Sequence, residues 1–341
     1  MKSITEAKGL KGKRVLVRVD WSVPTQDDLV VDDYSIVKSL PTIEYLEKAG
    51  AKITLISHAE KDTDSLKGIA SYVKRYLPTL TFIKSGDLVL LENLRQDPRE
   101  KENSEEFAKE LALLGDFYVN EAFSVCHREH ASVVGVPKFL PHFAGLQLEK
   151  EVQELSQVFY PKHPFLFILG GAKFDTKLPL LEKFVSLADY VFVGGALANN
   201  FFKAQGRDVG TSLVEEGEYG LLALLESGKI LLPDDTIDEG GRILDIGPRS
   251  LENLKPKIEA SKLVLWNGPL GYYEQGYKVA TLELAKLLAE FGKKTIVGGG
   301  DTLAAIKELN LTDKFSFVST GGGAMLEFLA KGTLPGVEAL K

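Results

Sequence analysis

One pattern constrains this chain above all others. A short run of β-branched and aromatic residues leads into a glycine-rich or polar turn, then into a stretch with helical spacing, and the unit repeats along the chain. Residues 14–19, 52–56, 87–91 and 116–119 read as strands, as do 165–169, 190–193, 262–266, 294–297 and 315–318. Between them, 36–49, 103–114, 176–187, 213–227, 278–291 and 302–309 carry apolar residues at helical intervals. Strands alternating with helices need crossover connections, which build parallel sheets covered on both faces. The expected fold class is therefore α/β. A length of 341 residues, at about 150 per domain, suggests two such domains.

The boundary is expected within 145–163. Residues 146–159 have helical spacing, and Tyr160-Pro161-Lys162-His163-Pro164 stops a helix. Near the end, Leu334-Pro335-Gly336-Val337 reads as a loop-like tail able to pack back on the body. A content of 44% hydrophobic and 26% charged residues excludes wholesale disorder. The net charge of −7 argues against a broad nucleic-acid-binding role. A single cysteine, Cys126, excludes an internal disulfide framework. With no signal-peptide pattern, it points to a cytoplasmic protein. No apolar run approaches the roughly 18–20 residues of a membrane span, so no membrane partner is expected.

Ligands of open α/β sheets bind beyond the carboxyl ends of the strands. In the second half, every strand runs into glycine: Gly170-Gly171-Ala172-Lys173, Gly194-Gly195, Asn267-Gly268-Pro269-Leu270-Gly271, Gly298-Gly299-Gly300-Asp301-Thr302 and Ser319-Thr320-Gly321-Gly322-Gly323. Glycine lets the backbone approach a ligand closely, and helix starts present N–H groups to phosphate. Lys173 and Lys177 add positive charge, and Asp301 offers a hard oxygen for Mg²⁺. Glycines can simply end strands, but five such loops in one half, with two lysines and an acid, point to a phosphate-bearing ligand. No GxxxxGK[ST] segment and no spaced GxGxxG after a first strand is present, so neither a P-loop nor a dinucleotide fold is indicated.

In the first half the strand ends are polar and basic: Asp20-Trp21-Ser22, Ser57-His58, Glu92-Asn93-Leu94-Arg95, then Asn120-Glu121 and Cys126-His127-Arg128-Glu129-His130. Arginine and histidine suit the clamping of a small anion. His127 and His130 lack the further ligands of a metal site. Cys126 reads as a buried apolar residue, and Asp32 and Asp33 as helix caps.

At this point the chain resembles the phosphoglycerate kinases, over about residues 10–338. The carrying segments are VLVRVD (15–20), SLPTIEYL (39–46), LLENLR (90–95), YVNEAF (118–123), HREHAS (127–132) and LEKE (148–151). They continue with ILGGAK (168–173), FFKAQG (201–206), LDIGP (244–248), WNGPLG (266–271), VGGGDT (297–302) and STGGGA (319–324). The resemblance implies two Rossmann-like three-layer α/β/α lobes with parallel sheets joined by a hinge helix. It implies a glycerate-binding lobe at 1–145, hinge helix and linker at 146–163, a nucleotide-binding lobe at 164–325 and a returning tail at 326–341.

The implied reaction is reversible phosphoryl transfer between 1,3-bisphosphoglycerate and Mg-ADP, giving 3-phosphoglycerate and ATP in glycolysis. It is accompanied by hinge closure in a monomer. Lys173, Gly300 and Gly323 take the catalytic positions. Gly171, Lys177, Gly195, Asn267, Pro269, Glu274, Gly298, Gly299, Asp301 and Thr302 complete the nucleotide set, with Asp301 also the Mg²⁺ residue. Asp20, Ser22, Ser35, His58, Lys61, Arg95 and Arg128 fall at substrate positions.

Several of these depart from the family pattern. Ser22 replaces an asparagine, and Ser35 stands where the family has the arginine that stabilises the moving phosphoryl group. SHLGRP becomes Ser57-His58-Ala59-Glu60-Lys61-Asp62. Lysine at 61 keeps charge but loses planar two-pronged contact. Loss of the arginine implies lowered turnover. It leaves two alternatives open: a non-catalytic nucleotide-binding paralogue, or a kinase for another small acid. Lys38, one helical turn after Ser35, is not expected to replace the arginine. The chain is also shorter than typical members, with trimming placed in 59–86 and 233–243.

Overall fold

The computed structural model describes residues 1–26, 29–217 and 219–341. The chain divides into two compact units, Met1–Gln153 with Lys331–Lys341, and Glu154–Ala330.

In the first unit, β1 is Arg14–Arg18, β2 Thr25–Gln26 and β3 Leu29–Val30. They are followed by α1 (Tyr34–Lys48), β4 (Lys52–Ile56), α2 (Lys67–Val73), β5 (Thr81–Phe82) and β6 (Leu88–Leu90). Next come α3 (Glu105–Ala112), β7 (Phe117–Asn120) and β8 (His142–Ala144), and then α4 (Leu146–Ser156), within which the division between units falls. Six strands form one sheet in the order β5-β6-β4-β1-β7-β8, every pair parallel. Val15, Leu16 and Val17 of the central β1 are all fully buried, as expected for a parallel strand covered on both faces.

The start of α4 is set by a buried acid. Glu121 accepts hydrogen bonds from the Gln147 N–H at 3.1 Å and the Thr42 hydroxyl at 2.7 Å. Burial pushes the Glu121 carboxyl up to about 8. A Cβ on Gly145 would overlap that carboxyl group, so the residue entering the helix has to be glycine.

The second unit begins with β9 (Phe165–Leu169), α5 (Phe174–Leu187), β10 (Tyr190–Val193), α6 (Gly195–Ala204) and α7 (Leu221–Glu226). It continues with β11 (Ile230–Leu231), the antiparallel pair β12 (Thr236–Glu239) and β13 (Arg242–Ile246), α8 (Pro248–Ala260), β14 (Leu263–Asn267) and α9 (Val279–Glu290). It closes with β15 (Lys294–Gly298), α10 (Gly300–Glu308), β16 (Phe317–Val318) and α11 (Gly323–Lys331). Its six-stranded sheet runs β11-β10-β9-β14-β15-β16, again all parallel. All five residues of β9 are buried.

The α/β class and parallel sheets follow the sequence reading. Strands β5, β8 and β11, absent from that reading, are edge strands of two or three residues, too short to show a period. The helix expected over 213–227, which includes residue 218 outside the described residues, is reduced to Leu221–Glu226. Gly217 and Gly220, at φ 154° and 61°, break the backbone before it.

The loop-like tail is also corrected. Pro335–Glu338 forms a short helix, α12, with proline in its first turn. It packs within the first unit: the Gly336 N–H donates to the Cys126 carbonyl at 2.8 Å, and Val337 is buried.

Candidate active site

The carboxyl end of the second sheet opens into a cavity of about 660 Å³, within the range of small-molecule sites. Its wall includes Gly171, Lys173, Lys177, Gly195, Asn267, Pro269, Glu274, Gly299, Gly300, Asp301 and Gly323. The backbone itself stitches these loops together. The Gly170 N–H donates to the Asn267 carbonyl at 2.9 Å, Gly171 to Pro269 at 2.8 Å and Gly195 to Leu270 at 3.0 Å. A Cβ on Gly195 would lie 2.6 Å from the Gly171 nitrogen, so the glycine is required by the close approach of two chain segments.

Two residues from the sequence reading stand behind the wall rather than on it. Gly298 faces the Met325 sulfur, which a Cβ there would overlap. Thr302 is fully buried, and its hydroxyl accepts the Gly268 N–H at 2.9 Å. Both shape the loops.

Lys177 is almost fully buried, and its ammonium donates to the Gly170 carbonyl. Burial lowers its pKa to about 8, against the pull of nearby Asp301. Asn267 presents a buried Nδ2 with no hydrogen-bond partner among the described residues. Asp301 lies in the first turn of α10. No group of three or more metal-ligating side chains occurs among the described residues. A cation here would therefore rest on Asp301 and on ligand oxygens, a donor set that suits Mg²⁺. Phe202, Leu213, Leu244, Tyr272 and Leu326 also line the cavity, alongside Asn199. The sequence reading missed these residues, because helices and loops far apart in the chain supply them.

In the first unit, the carboxyl ends of β1, β4 and the segments after β6 and β7 bring charges together. His58 feels the charges of Arg18, Asp20, Arg95 and Arg128. It is buried, and its Nδ1 lies 3.1 Å from Arg18 Nη2. Burial and the Arg18 charge hold it neutral, at about 2. Burial works against the Asp20 carboxylate, yet His58, Ser124, Ser22 and Arg18 outweigh it and hold Asp20 at about 2. With His58 neutral, the two hydroxyls and Arg18 carry that effect. Ser22 Oγ donates to Asp20 at 2.6 Å.

Arg95 has Nε and Nη2 buried without a partner among the described residues. Burial, then Arg128 and Arg18, lower its pKa to about 10, so it remains charged near neutrality. Two buried donors of a charged group without an acceptor make a receptor for an anion.

Arg18 was missed in the sequence reading. Its signal was an arginine inside an otherwise apolar strand, VLVRV, where burial demands a partner.

The altered positions lie differently. Lys61 and Glu60 are exposed. Among the described residues, no hydrogen bond or ion pair joins the Lys61 or Ser35 side chain to the charged cluster. The loop is held through its backbone. Asn93 Nδ2 donates to the carbonyls of Lys61, Asp62 and Asp64 at 3.1, 3.0 and 2.9 Å, and Asp62 pairs with Lys101. Lys38 sits over the Tyr34 ring at 5.1 Å.

Asp32 accepts the Tyr34 N–H at 3.0 Å, as a cap does. Asp33 makes no cap bond and instead accepts the hydroxyls of Tyr72 and Tyr76 at 2.8 and 2.6 Å, a correction to the capping role. The Cys126 thiol is fully buried, which pushes it up to about 12.

A family model described as phosphoglycerate kinase matches residues 4–332. A phosphoglycerate kinase of Thermus thermophilus is 40% identical over 380 aligned positions, covering 97% of each chain. That of Coprothermobacter proteolyticus is 39% identical over 388 positions, covering 100% of this chain and 98% of the relative. Both alignments are longer than the 341 residues of this chain, so the relatives carry segments it lacks. Among solved structures, phosphoglycerate kinase from Coxiella burnetii superposes with a TM-score of 0.86 at 33% identity, over 99% of this chain and 98% of that one. That from Pyrococcus horikoshii OT3 gives 0.87 at 28% identity, over 100% and 98%.

Proposed function

This chain belongs to the phosphoglycerate kinase family, a family of phosphotransferases, and on that premise we propose how its own residues serve the transfer between 1,3-bisphosphoglycerate and ADP. The cavity of the second unit takes the nucleotide. Its phosphates meet the glycine loop before α5 and the starts of α10 and α11, where glycine leaves the N–H groups accessible. Lys173 and Lys177 balance their charge, Asn267 donates its unpartnered Nδ2, and Glu274 accepts from the ribose. The apolar side chains of the wall cover the base. Asp301 would hold Mg²⁺, with oxygens of the nucleotide completing its ligands. When bound, the ion neutralises charge on the transferring group.

In the first unit, 3-phosphoglycerate or its acyl phosphate lies against His58, Arg95 and Arg128, with fully buried Arg18 behind His58. The unpartnered Nε and Nη2 of Arg95 are aimed at an anionic oxygen. Neutral His58 accepts from Arg18 at Nδ1 and so carries its proton on Nε2, as a donor. Phosphoryl transfer needs little beyond alignment and charge stabilisation, which these groups supply. Hinge bending about 146–163, in a cytoplasmic monomer, completes the proposal and rests on the family resemblance.

The observation that carries this reading is the convergence of buried Lys177, the unpartnered Asn267 donor and Asp301 on one glycine-walled cavity. The family membership lends nothing to the lowered turnover expected from Ser35, nor to the two alternative activities. A coupled assay for ATP formation from 1,3-bisphosphoglycerate and ADP is expected to give turnover. Folded protein that binds ADP but makes no ATP would reject the proposal.

A further inference from the structure

Arg18 is fully buried, and its guanidinium is held from three sides. Nη1 donates to the Val19 carbonyl at 2.5 Å, Nη2 meets His58 Nδ1 at 3.1 Å, and Nε donates to Ser132 Oγ at 3.0 Å. Behind Ser132 stands Glu100, also fully buried. Its carboxylate accepts the Ser132 N–H at 2.9 Å and the Ser132 hydroxyl at 2.6 Å. His130 Nδ1 lies 3.8 Å from the same carboxylate. The chain of bonds is directional. Because the Ser132 proton is committed to Glu100, the hydroxyl oxygen must present a lone pair, and that is what Arg18 Nε requires. Arg18 in turn fixes His58 as an acceptor at Nδ1, leaving the proton on Nε2. Ser132 lies in a π-helical turn, Ala131–Gly135, a geometry that recurs at functional sites.

We propose that Glu100 and Ser132 are positioning residues for the acceptor substrate, setting the orientation of Arg18 and the tautomer of His58 without touching substrate themselves. The proposal rests on the reading of the first unit as the phosphoglycerate site. Among the described residues, only a serine and a distant imidazole hold this buried carboxylate, a costly arrangement. Its compensation is the Arg18 charge, one hydroxyl away. Glu100 and Ser132 stand 32 residues apart, so the link exists only in the folded unit.

The test is kinetic. Ser132→Ala keeps the backbone N–H to Glu100 and removes only the hydroxyl. It is expected to raise the KM for 3-phosphoglycerate about tenfold, the scale of one hydrogen bond to a charged group. The nucleotide KM is expected to stay unchanged and kcat to move less. Arg18→Lys, which lacks Nε, is expected to raise the same KM. The double variant is expected to be no worse than Arg18→Lys alone, because both cut one link. An unchanged phosphoglycerate KM in Ser132→Ala, or additive effects in the double variant, overturns the proposal if Arg18→Lys still raises KM. If Arg18→Lys also leaves that KM unchanged, the assignment of the phosphoglycerate site fails, and the proposal with it. Should Ser132→Ala not fold, Glu100→Gln reads the same link, with the same selective rise expected and an unmoved phosphoglycerate KM overturning the proposal.

Discussion

Thr302 Oγ1 accepts the Gly268 N–H at 2.9 Å, tying the first turn of α10 to the glycine loop after β14. The side chain is fully buried, so no water can take over. Thr302→Val keeps the shape and strands a buried N–H, which costs about 1–3 kcal/mol. The denaturation midpoint is expected to fall and ADP affinity to weaken, read by unfolding titration and calorimetry. Wild-type stability in the variant would show that the bond is dispensable.

Gly170 faces backbone. A Cβ there would overlap the Pro269 carbonyl oxygen and lie 2.9 Å from that of Gly268, and neither atom can rotate away. Gly170→Ala is expected to destabilise by roughly 1–3 kcal/mol or more and to lose nucleotide binding. Binding of 3-phosphoglycerate, measured by calorimetry on the same sample, is expected to persist. Retained ADP affinity would contradict the packing argument.

Lys177 gives a pH dependence with a definite sign. Burial lowers its pKa from 10.5 to about 8. Between those values the unfolded chain binds more protons than the folded one, so the contribution to stability rises with pH. Phosphate favours the charged ammonium. ADP affinity is therefore expected to be highest below about pH 8 and to fall as pH rises through it. Lys177→Arg keeps its charge across this range and is expected to flatten the profile. A flat wild-type profile in calorimetry would remove Lys177 from the phosphate contacts.

Asn93 joins the altered loop to Arg95. Its Oδ1 accepts from the Ala59 and Arg95 N–H groups at 3.1 and 3.0 Å, while Nδ2 serves three carbonyls. Asn93→Asp keeps the acceptor but sets a carboxylate against those carbonyls. It is expected to raise the 3-phosphoglycerate KM about tenfold with the nucleotide KM unchanged. Equal changes in both KM values would point to general unfolding instead.

The glycine turns and Asp301 were legible in sequence because strand ends, turn residues and helix starts are local features. Trp21 shows the limit. It reads as part of a substrate motif, yet it is fully buried and its Nε1 donates to Ser39 Oγ at 2.9 Å, pinning α1. Ser35 and Lys61 stand at family substrate positions, but among the described residues no bond joins either side chain to the buried charges. Arg18 looked like a strand residue and is the centre of that cluster. Local pattern cannot register a partner more than a hundred residues away, and Ser132 lies 114 positions from Arg18.

By itself, then, the sequence determined the α/β class, the parallel crossover layout and the glycine turns at the strand ends, since periodicity and backbone freedom are properties of neighbouring residues. The tertiary structure decided which polar groups are buried and who holds them. It decided that Gly298 and Thr302 shape the cavity from behind, and that Arg95 and Asn267 keep donors unpaired among the described residues. It also decided that Glu100 reaches Arg18 through Ser132. Burial and hydrogen-bond partnership depend on elements brought together from distant parts of the chain, and only the folded chain sets them.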